Sequence, residues 1–435
     1  MDTATLAALI MFSGTIFFLV IGTPISVSIG ISSFAAMLSI LPYQGAIVTS
    51  AQRIFVGLDS FALLAIPFFI LAGNIMNSGG IAIRLVNLSK TVSSCFPGSL
   101  AQTNVVSNML FGSISGSGVA SAAAVGSIMA PIQEKEGYEL KYSTAVNIAS
   151  APTGMLIPPS NTIIVYATIA GSVSVSALFM AGYIPGILWG IAVMLVAGYM
   201  AKKRGYITKH RITHKERFRI FIEALPSLSL VVIVIGGILA GIFTATESSA
   251  IAVVYALILS LCYRTLDLKK LPKIFLDTAK MSAIVIFMLA TSSIMSWVMA
   301  FTQIPNTIAD GLLSLTNNPI LILLIINIIL LFVGTFMDPT PAVLIFTPIF
   351  LPICTNLGMS PIQFGIVLVF NLSLGTITPP VGPILFTGCK VTNVSIESVI
   401  KTLSPYFIAI FLVLMLVTYI PAISMILPEI MGLVN

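Results

Sequence analysis

The sequence predicts an all-α polytopic membrane protein made of two inverted-topology repeats. Three observations support this prediction: the composition, apolar runs of helical length, and matches between the two halves at one offset. Of the 435 residues, 57% are hydrophobic and 8% are charged, whereas a soluble domain carries about 25% charged residues. The 20 basic and 14 acidic side chains are too few to cover a soluble particle of this size. Soluble enzymes, disordered scaffolds and secreted disulfide domains are therefore excluded.

The apolar runs are helical and do not have the pattern of β-barrel strands. Runs such as 225–243 (LPSLSLVVIVIGGILAGIF) and 319–336 (PILILLIINIILLFVGTF) are apolar on every side, whereas barrel strands alternate apolar and polar residues over about ten positions. A helix also satisfies its own backbone hydrogen bonds in lipid. The runs predict helices at 4–21, 24–42, 60–80, 180–200, 222–244, 247–263, 278–300 and 404–427.

The basic residues predict the orientation. Segment 202–219 holds 8 of the 20 Lys and Arg residues, and short basic loops stay in the cytoplasm. Segment 91–133 is interrupted at 112–118 and has basic residues on both flanks, which predicts a re-entrant hairpin that enters and leaves on the cytoplasmic side. Counting outward from the basic loop places both termini outside. Every basic residue except Arg53 then faces the cytoplasm.

The two halves match at an offset of 221 residues. Pro131 aligns with Pro352, and the pair Pro158-Pro159 aligns with the pair Pro379-Pro380. Each half reads as three helices, a hairpin, a broken helix and a closing helix. Five crossings per half is an odd number, so the second half is inserted upside down. Inverted repeats with discontinuous helices are typical of secondary transporters.

The repeat divides the chain into alternating frame and hairpin segments. Two amphipathic connectors, at 44–58 and 302–318, occupy equivalent places in this reading and are predicted to be arms along the membrane interface; short loops are the alternative. The predicted segments are frame helices at 1–90, a first hairpin and broken helix at 91–171, a closing helix and basic loop at 172–220, frame helices at 221–318, a second hairpin and broken helix at 319–390, and a closing helix at 391–435.

Four helix interruptions are predicted to lie at membrane depth. Unpaired backbone N–H and C=O groups cost several kcal/mol each in lipid, so such breaks persist only where they are buried or line a cavity. The freed oxygens suit a hard cation such as Ca²⁺ or Na⁺, and half-helix N-termini attract an anion. A proline-kinked helix without a ligand is the alternative for a single break. The breaks are at 113–118, 152–161, 334–341 and 375–383.

Among the acidic residues, only Asp338 falls inside a break. A carboxylate at that depth is a functional hypothesis by default; it could ligate a cation, carry a proton or cap the following half-helix. Glu247 and Asp59 begin helices and are interpreted as N-terminal caps. His210 and His214 lie in the basic loop, and no cysteine or histidine cluster lies in a span. Intramembrane metalloproteases and haem enzymes are therefore excluded, and the scattered basic residues argue against nucleic-acid binding.

Several motifs resemble the large membrane subunit of tripartite ATP-independent periplasmic (TRAP) transporters, along essentially the whole chain. They are FALLAIPFFILAGNIMNSGG (61–80), SGSGVASAAAVGSIMAP (115–131), LIPPS (156–160), GIFTATESSA (241–250), MDPTPAVLIFTPIFLP (337–352) and GTITPPVG (375–382). The resemblance implies an elevator-type Na⁺ symporter of the bacterial inner membrane, in its unfused form. It also implies two protein partners: a small four-helix membrane subunit and a periplasmic binding protein that delivers an organic acid.

The resemblance also assigns site residues. One Na⁺ site is expected between the first hairpin tip (Ser115, Ser117) and the break at Thr153 and Gly154. The motifs assign a second Na⁺ site to Gly334, Asp338, Gly375 and Thr378, and the substrate between the two Na⁺ sites to Ser160, Asn161, Thr376 and Pro380. Many relatives carry an acidic residue where this chain has Ser121, which puts in doubt any cation or proton role at that position.

Other classes of function are left open by the residues. A stand-alone ion-coupled carboxylate symporter of the same architecture is the first alternative, and a channel or receptor-like scaffold is the second. An enzyme is the least favoured class, because the sequence shows no nucleophile–base pair. C4-dicarboxylates, sialic acid, sugar acids and keto acids all offer a carboxylate to a half-helix N-terminus, so the sequence leaves the substrate open.

Overall fold

The computed structural model describes residues 3–171, 173–206, 214–316 and 318–434, and the regular structure of these residues is helical throughout. The predicted basic loop at 202–219 falls partly outside the described residues, and His210 lies outside them.

The first half of the chain forms ten α-helices. Short 3₁₀ turns at Phe61–Leu64, Ser93–Cys95 and Ala151–Met155 join some of them. The helices are α1 (Thr3–Val20), α2 (Ile25–Leu38), α3 (Tyr43–Leu58), α4 (Ala65–Ser78), α5 (Ile81–Val92), α6 (Ser99–Ser115), α7 (Gly118–Lys135), α8 (Leu140–Ser150), α9 (Asn161–Ala170) and α10 (Val175–Lys203).

The second half forms ten more, with one 3₁₀ turn at Leu268–Lys270. They are α11 (His214–Leu239), α12 (Ala245–Cys262), α13 (Leu271–Phe301), α14 (Ile304–Leu315), α15 (Pro319–Gly334), α16 (Pro339–Asn356), α17 (Pro361–Gly375), α18 (Pro383–Thr392), α19 (Ile396–Tyr419) and α20 (Ala422–Ile430).

The described helices confirm a polytopic membrane protein. Large apolar side chains remain exposed on the outside of the helices; Val232 of α11 is 69% exposed and Leu195 of α10 is 69% exposed. Such surfaces suit a lipid environment. Seven helices, or eight if α14 and α15 count as one span, are long and apolar enough to cross a membrane: Phe61–Ser78, Val175–Lys203, Lys215–Leu239, Ala245–Cys262, Leu271–Phe301, Pro339–Asn356 and Ile396–Tyr419.

The order of helices recurs at the predicted offset, with one correction. Helices α7 and α16 coincide residue for residue when shifted by 221. The two amphipathic arms, however, are not equivalent: shifting α14 back by 221 places it on α5, whereas α3 falls on the start of α13. The prediction that 44–58 and 302–318 are counterparts is therefore wrong: the counterpart of α14 is α5, a separate helix between α4 and the hairpin.

The predicted closing helix at 404–427 is two helices in the structure. Helix α19 ends at Tyr419, and α20 begins at Ala422. Ile420 between them has an extended backbone (φ −116°, ψ 92°) because the ring of Pro421 disfavours the helical conformation in the residue before it.

Helices α6 and α7 form the first predicted hairpin. Asn108 and Ser121 are 13 residues apart, which would be about 20 Å along one continuous helix. Instead, Ser121 Oγ donates a hydrogen bond to Asn108 Oδ1 at 2.7 Å. Nearer the other ends of the two helices, Gln133 Nε2 donates to Leu100 O at 3.0 Å. The chain therefore reverses at Gly116 and Ser117, between α6 and α7.

Each helix break is pressed against a hairpin through a pair of glycines. A Cβ atom added to Gly154 would lie 2.2 Å from the Cα of Gly112, and a Cβ atom added to Gly375 would lie 2.4 Å from the carbonyl carbon of Gly334. Contacts this short leave no room for a side chain. The glycines thus allow the backbone of the 3₁₀ turn after α8, and of the end of α17, to pack directly on α6 and α15.

Replacing Gly375 with alanine tests this packing. We expect Gly375→Ala to lower the free energy of unfolding by about 1–3 kcal/mol, the usual cost of overpacking, because the obstructing atoms are backbone. Thermal unfolding of the purified protein in detergent measures the change. Gly236→Ala in α11 is the matched control, since a Cβ atom there meets nothing within 4 Å. Equal stability of the two variants would contradict the assignment.

Candidate functional site

A cavity of about 180 Å³ lies where the two halves of the chain meet. Its walls come from the tip of the α6–α7 hairpin, the start of α9, the start of α16, the break after α17, and the frame helices α4 and α13. Five of the twelve sequence-predicted site residues line it together: Ser115, Ser117, Asn161, Asp338 and Thr376. These residues are far apart in the sequence, so only the tertiary structure unites them.

The hairpin tip presents hydroxyl oxygens to the cavity. Ser117 caps α7, its Oγ accepting a hydrogen bond from the Ala120 N–H at 3.3 Å. Ser115 Oγ makes only long hydrogen bonds, at 3.4 Å, to the Gly112 and Ser117 carbonyls. Gly116 between them has a φ of 62°, a conformation that glycine adopts without strain. The tip therefore turns sharply and leaves the Ser115 oxygen weakly engaged.

The start of α9 meets this tip. A Cβ atom on Gly116 would lie 3.3 Å from the Asn161 N atom, so the hairpin backbone approaches the first residue of α9. Asn161 Oδ1 is buried and has no hydrogen-bond partner among the described residues. Ser160, in contrast, is fully buried and turned inward, donating from its Oγ to Met155 O at 2.6 Å. Asn161 lines the cavity and Ser160 does not.

Among the described residues that line this cavity, Asp338 is the only charged one. It caps α16, since Thr340 N donates to Asp338 Oδ1 at 3.1 Å. The side chain is exposed, and it makes no ion pair with any residue in the described part of the chain. The Asp338 carboxylate therefore both caps α16 and lines the cavity.

The other seven predicted residues surround the cavity without lining it. Gly154, Gly334 and Gly375 are buried in the glycine contacts described above. Thr153 and Ser160 are fully buried; Thr153 donates from Oγ1 to Ser150 O at 2.7 Å. Thr378 donates from Oγ1 to Leu374 O at 2.8 Å, and Pro380 is exposed outside the lining. The structure therefore unites residues from both predicted Na⁺ sites and from the predicted substrate site in one cavity.

Two asparagines of the frame were missed by the sequence analysis. Asn74 and Asn77 of α4 line the cavity, and Asn74 Nδ2 donates to Thr278 Oγ1 of α13 at 2.9 Å. Their signal was present, because two amides three residues apart on an otherwise apolar helix lie on one face. Neither residue falls in a helix break, so the pattern of breaks does not predict them.

A buried amide cluster holds the hairpin to the helix beside it. Asn108 Nδ2 donates to Asn147 Oδ1 at 3.0 Å and to Ser150 Oγ at 2.8 Å, and Asn147 Nδ2 donates to Ala122 O at 2.9 Å. These side chains are at most 1% exposed. Ser121 belongs to this cluster as a neutral donor.

The donor set of the cavity consists of oxygen and amide groups. Within the described ranges, no group of three His, Cys, Asp or Glu side chains that could hold a metal ion was found. Hydroxyl, carbonyl and carboxylate oxygens are the ligands that hard cations prefer, and soft thiolate or imidazole ligands are what transition metals select. These oxygen ligands therefore suit a hard cation better than a transition metal.

A helical membrane protein with a cavity at its helix breaks has an architecture typical of secondary transporters, and comparison with known proteins agrees. The chain superposes on a transporter of Alcanivorax borkumensis, YdaH, with a TM-score of 0.61 over 86% of this chain and 87% of that one, at 15% identity. At that identity, the likeness supports the fold alone. A family profile for the tripartite ATP-independent periplasmic transporter, DctM component, matches residues 12–423.

The chain therefore belongs to the DctM family, the large membrane subunits of TRAP transporters. It is 52% identical to the protein YgiK of Salmonella typhimurium, over 97% of both chains. It is 39% identical to the isethionate TRAP transporter permease DctMQ of Oleidesulfovibrio alaskensis, covering 96% of this chain and 65% of that one. It is 35% identical to the sialic acid TRAP transporter large permease SiaM of Vibrio cholerae, over 94% and 95%. These last two relatives are transporter permeases and not enzymes.

Removal of the Asn108 amide tests the buried cluster. We expect Asn108→Ala to lower the free energy of unfolding by about 2 kcal/mol, because the Asn147 and Ser121 side chains lose a buried partner. Thermal unfolding in detergent measures it. Asn77→Ala, which removes an exposed amide, is expected to be close to neutral. A variant at Asn108 as stable as the wild-type protein would show that the cluster does not hold the hairpin.

Proposed function

We propose that this chain is the transport subunit of a Na⁺-coupled system that takes up a carboxylate-containing organic acid delivered by a periplasmic binding protein. One observation supports it above the rest: the cavity joins hydroxyl oxygens from the first hairpin tip to the Asp338 carboxylate at the second break. Na⁺ and the acid are both cargo in this proposal. C4-dicarboxylates, sialic acid, sugar acids and keto acids are the candidate substrates.

Asp338 explains why Na⁺ and an anion would bind together. A carboxylate substrate entering a cavity whose only charge is another carboxylate is repelled; two unit charges about 5 Å apart interact by about 3 kcal/mol at an effective dielectric constant of 20. A Na⁺ ion bound between the Asp338 carboxylate and the Ser115 and Ser117 oxygens removes that repulsion. Thr153, Gly154, Gly334, Gly375 and Thr378 support the Na⁺ positions from behind the cavity wall.

The start of α9 is proposed to hold the acid group. The first N–H groups of a helix lack intrahelical partners and point toward an anion, and α9 begins at the cavity with Asn161. The Thr376 hydroxyl lies on the opposing break and is 1% exposed. Ser160 and Pro380 shape the two breaks without contacting the cavity.

Movement of the hairpin unit (segments 91–171 and 319–390) against the frame (segments 1–90 and 221–318) is proposed as the transport step. The cavity has walls from both parts: Asn74 of α4 and Met281 of α13 belong to the frame, whereas Ser115 and Asp338 belong to the hairpin unit. If the hairpin unit slides along α4 and α13, the cavity changes the side to which it opens, as in an elevator mechanism. We place both termini and Arg53 on the periplasmic side of the inner membrane.

Two partners complete the proposal. TRAP large subunits work in general with a small membrane subunit and a periplasmic binding protein, and we propose that this chain does the same with a four-helix small subunit. A thermal-shift screen of organic acids against the binding protein would identify the substrate. The relative named for isethionate makes sulfonates a necessary part of that screen.

Uptake by the complete complex tests the function. In proteoliposomes that contain this chain and the small subunit, an inward Na⁺ gradient is expected to drive uptake of the acid only when the loaded binding protein is present. Replacement of external Na⁺ by K⁺ is the control and should abolish uptake. Uptake without the binding protein would instead favour a stand-alone symporter. Flux that is independent of the Na⁺ gradient would favour a channel.

Asp338→Asn separates the charge of this residue from its capping role. Asparagine caps a helix about as well as aspartate, so we expect normal assembly and thermal stability but a loss of Na⁺-driven uptake of more than tenfold. Glu247→Gln is the matched control, because Glu247 is a capping carboxylate of α12 that lies outside the cavity lining. Full uptake by the Asp338→Asn variant would rule out the coupling role.

A further inference from the structure

A second, larger cavity of about 610 Å³ follows the first along the same three helices. Helix α13 lines the smaller cavity with Met281 and Val285 and the larger one from Leu289 to Phe301. Helix α9 contributes Asn161 to Val165 to the smaller cavity, and then Thr168 and Ile169 to the larger one; α16 contributes Leu344 beyond Thr340. The two cavities therefore lie in series, and the end of helix α3 forms part of the wall of the larger one.

Arg53 of α3 is the only charged residue in the lining of this larger cavity within the part of the chain that the structure describes. Its side chain is exposed, and it has no carboxylate within ion-pair distance in the described ranges. The guanidinium charge is therefore available to a ligand. A guanidinium fork matches a carboxylate in two parallel hydrogen bonds.

Hydroxyl groups surround the same space. Ser60, Ser292, Ser293, Ser296 and Thr168 line the cavity with Arg53. Ser292 is only 3% exposed, and its Oγ has no hydrogen-bond partner among the described residues. A buried hydroxyl without a partner costs free energy unless a ligand or water bonds to it. Two independent features thus point to a polar occupant of this cavity.

We infer that the larger cavity is an outer vestibule in which Arg53 binds the carboxylate of the organic acid before it reaches the Asp338 cavity. This inference rests on the proposed function and adds a second binding position to it. The volume is within the range of small-molecule sites, and a positive charge in a cavity with low-dielectric walls raises the local concentration of anions. The acid would pass from Arg53 along α9 and α13 as the hairpin unit moves.

A reporter cysteine in the vestibule measures this charge without knowledge of the substrate. In the complex with the small subunit, with the exposed Cys95 and Cys262 replaced by serine, Ser296→Cys would be labelled by methanethiosulfonates that carry a sulfonate or a trimethylammonium group. We expect Arg53→Ala to lower the ratio of anionic to cationic labelling rates about tenfold, the effect of one unit charge about 5 Å away in water on reagents of opposite sign.

Matched controls separate this effect from general disturbance. Arg53→Lys keeps the charge and should keep the ratio within about twofold, and the ratio should become less sensitive to Arg53 at about 1 M salt because the charge is screened. A second reporter, Ser398→Cys on the exposed start of α19, should give the same ratio with and without Arg53. An unchanged ratio at Ser296→Cys in the Arg53→Ala variant overturns the inference.

Protection by a defined anion needs no change at Arg53. With Arg53 intact, succinate at tens of millimolar is expected to slow labelling of Ser296→Cys by uncharged N-ethylmaleimide at least threefold, whereas the uncharged analogue succinamide should not. Equal effects of the two compounds overturn the inference. If Na⁺ drives uptake but the labelling ratio does not depend on Arg53, the vestibule is rejected and the proposed function stands. If labelling depends on Arg53 and is slowed by succinate, but no acid is taken up, the proposed function is rejected and the vestibule stands.

Discussion

The direct packing of backbone on backbone at two glycine pairs is the constraint on which the rest of the structure depends. Non-helical segments carry polar groups that lipid cannot satisfy, so a helix break at membrane depth must be covered by protein. Gly112 with Gly154, and Gly334 with Gly375, let each break lie flat against the hairpin of its own half. A single methyl group at these positions would separate the two backbones and with them the walls of the cavity.

This packing places few polar groups in an apolar interior, and several of them bond to one another. The amides of Asn108 and Asn147 bond within the buried cluster between the hairpin and α8. Asp338 accepts a hydrogen bond from the Thr340 N–H at the start of α16. Only a small number of oxygens, those of Ser115, Asn161 and Asp338 among them, remain for a ligand. A cavity with one carboxylate and no cation lining it suits the joint binding of a cation and an anion better than the binding of an anion alone.

The frame forms one wall of both cavities. Helix α13 contacts both cavities along one face, and the hairpin unit contributes α9 and α16 to both. In the proposed mechanism, the hairpin unit would therefore carry its bound cargo along a wall of α13 that holds the hydroxyls of Ser292, Ser293 and Ser296. Helix α3 contributes Arg53 to the same cavity, so it would also supply the charge that attracts the cargo.

The sequence by itself determined the solvent, the helical class, the four helix breaks and the family, because each depends on local features: an apolar run of sufficient length, paired prolines, or a motif of adjacent residues. It also singled out Asp338, because no other acid lies in a break. Only the tertiary structure decided which of the predicted residues share a cavity. Asn161 faces it while its neighbour Ser160 turns inward, because the N-cap hydroxyl bonds to Met155. The structure likewise placed the distant residues Arg53 and Ser292 in one cavity, since such contacts depend on packing between helices far apart in the chain and leave no local pattern in the sequence.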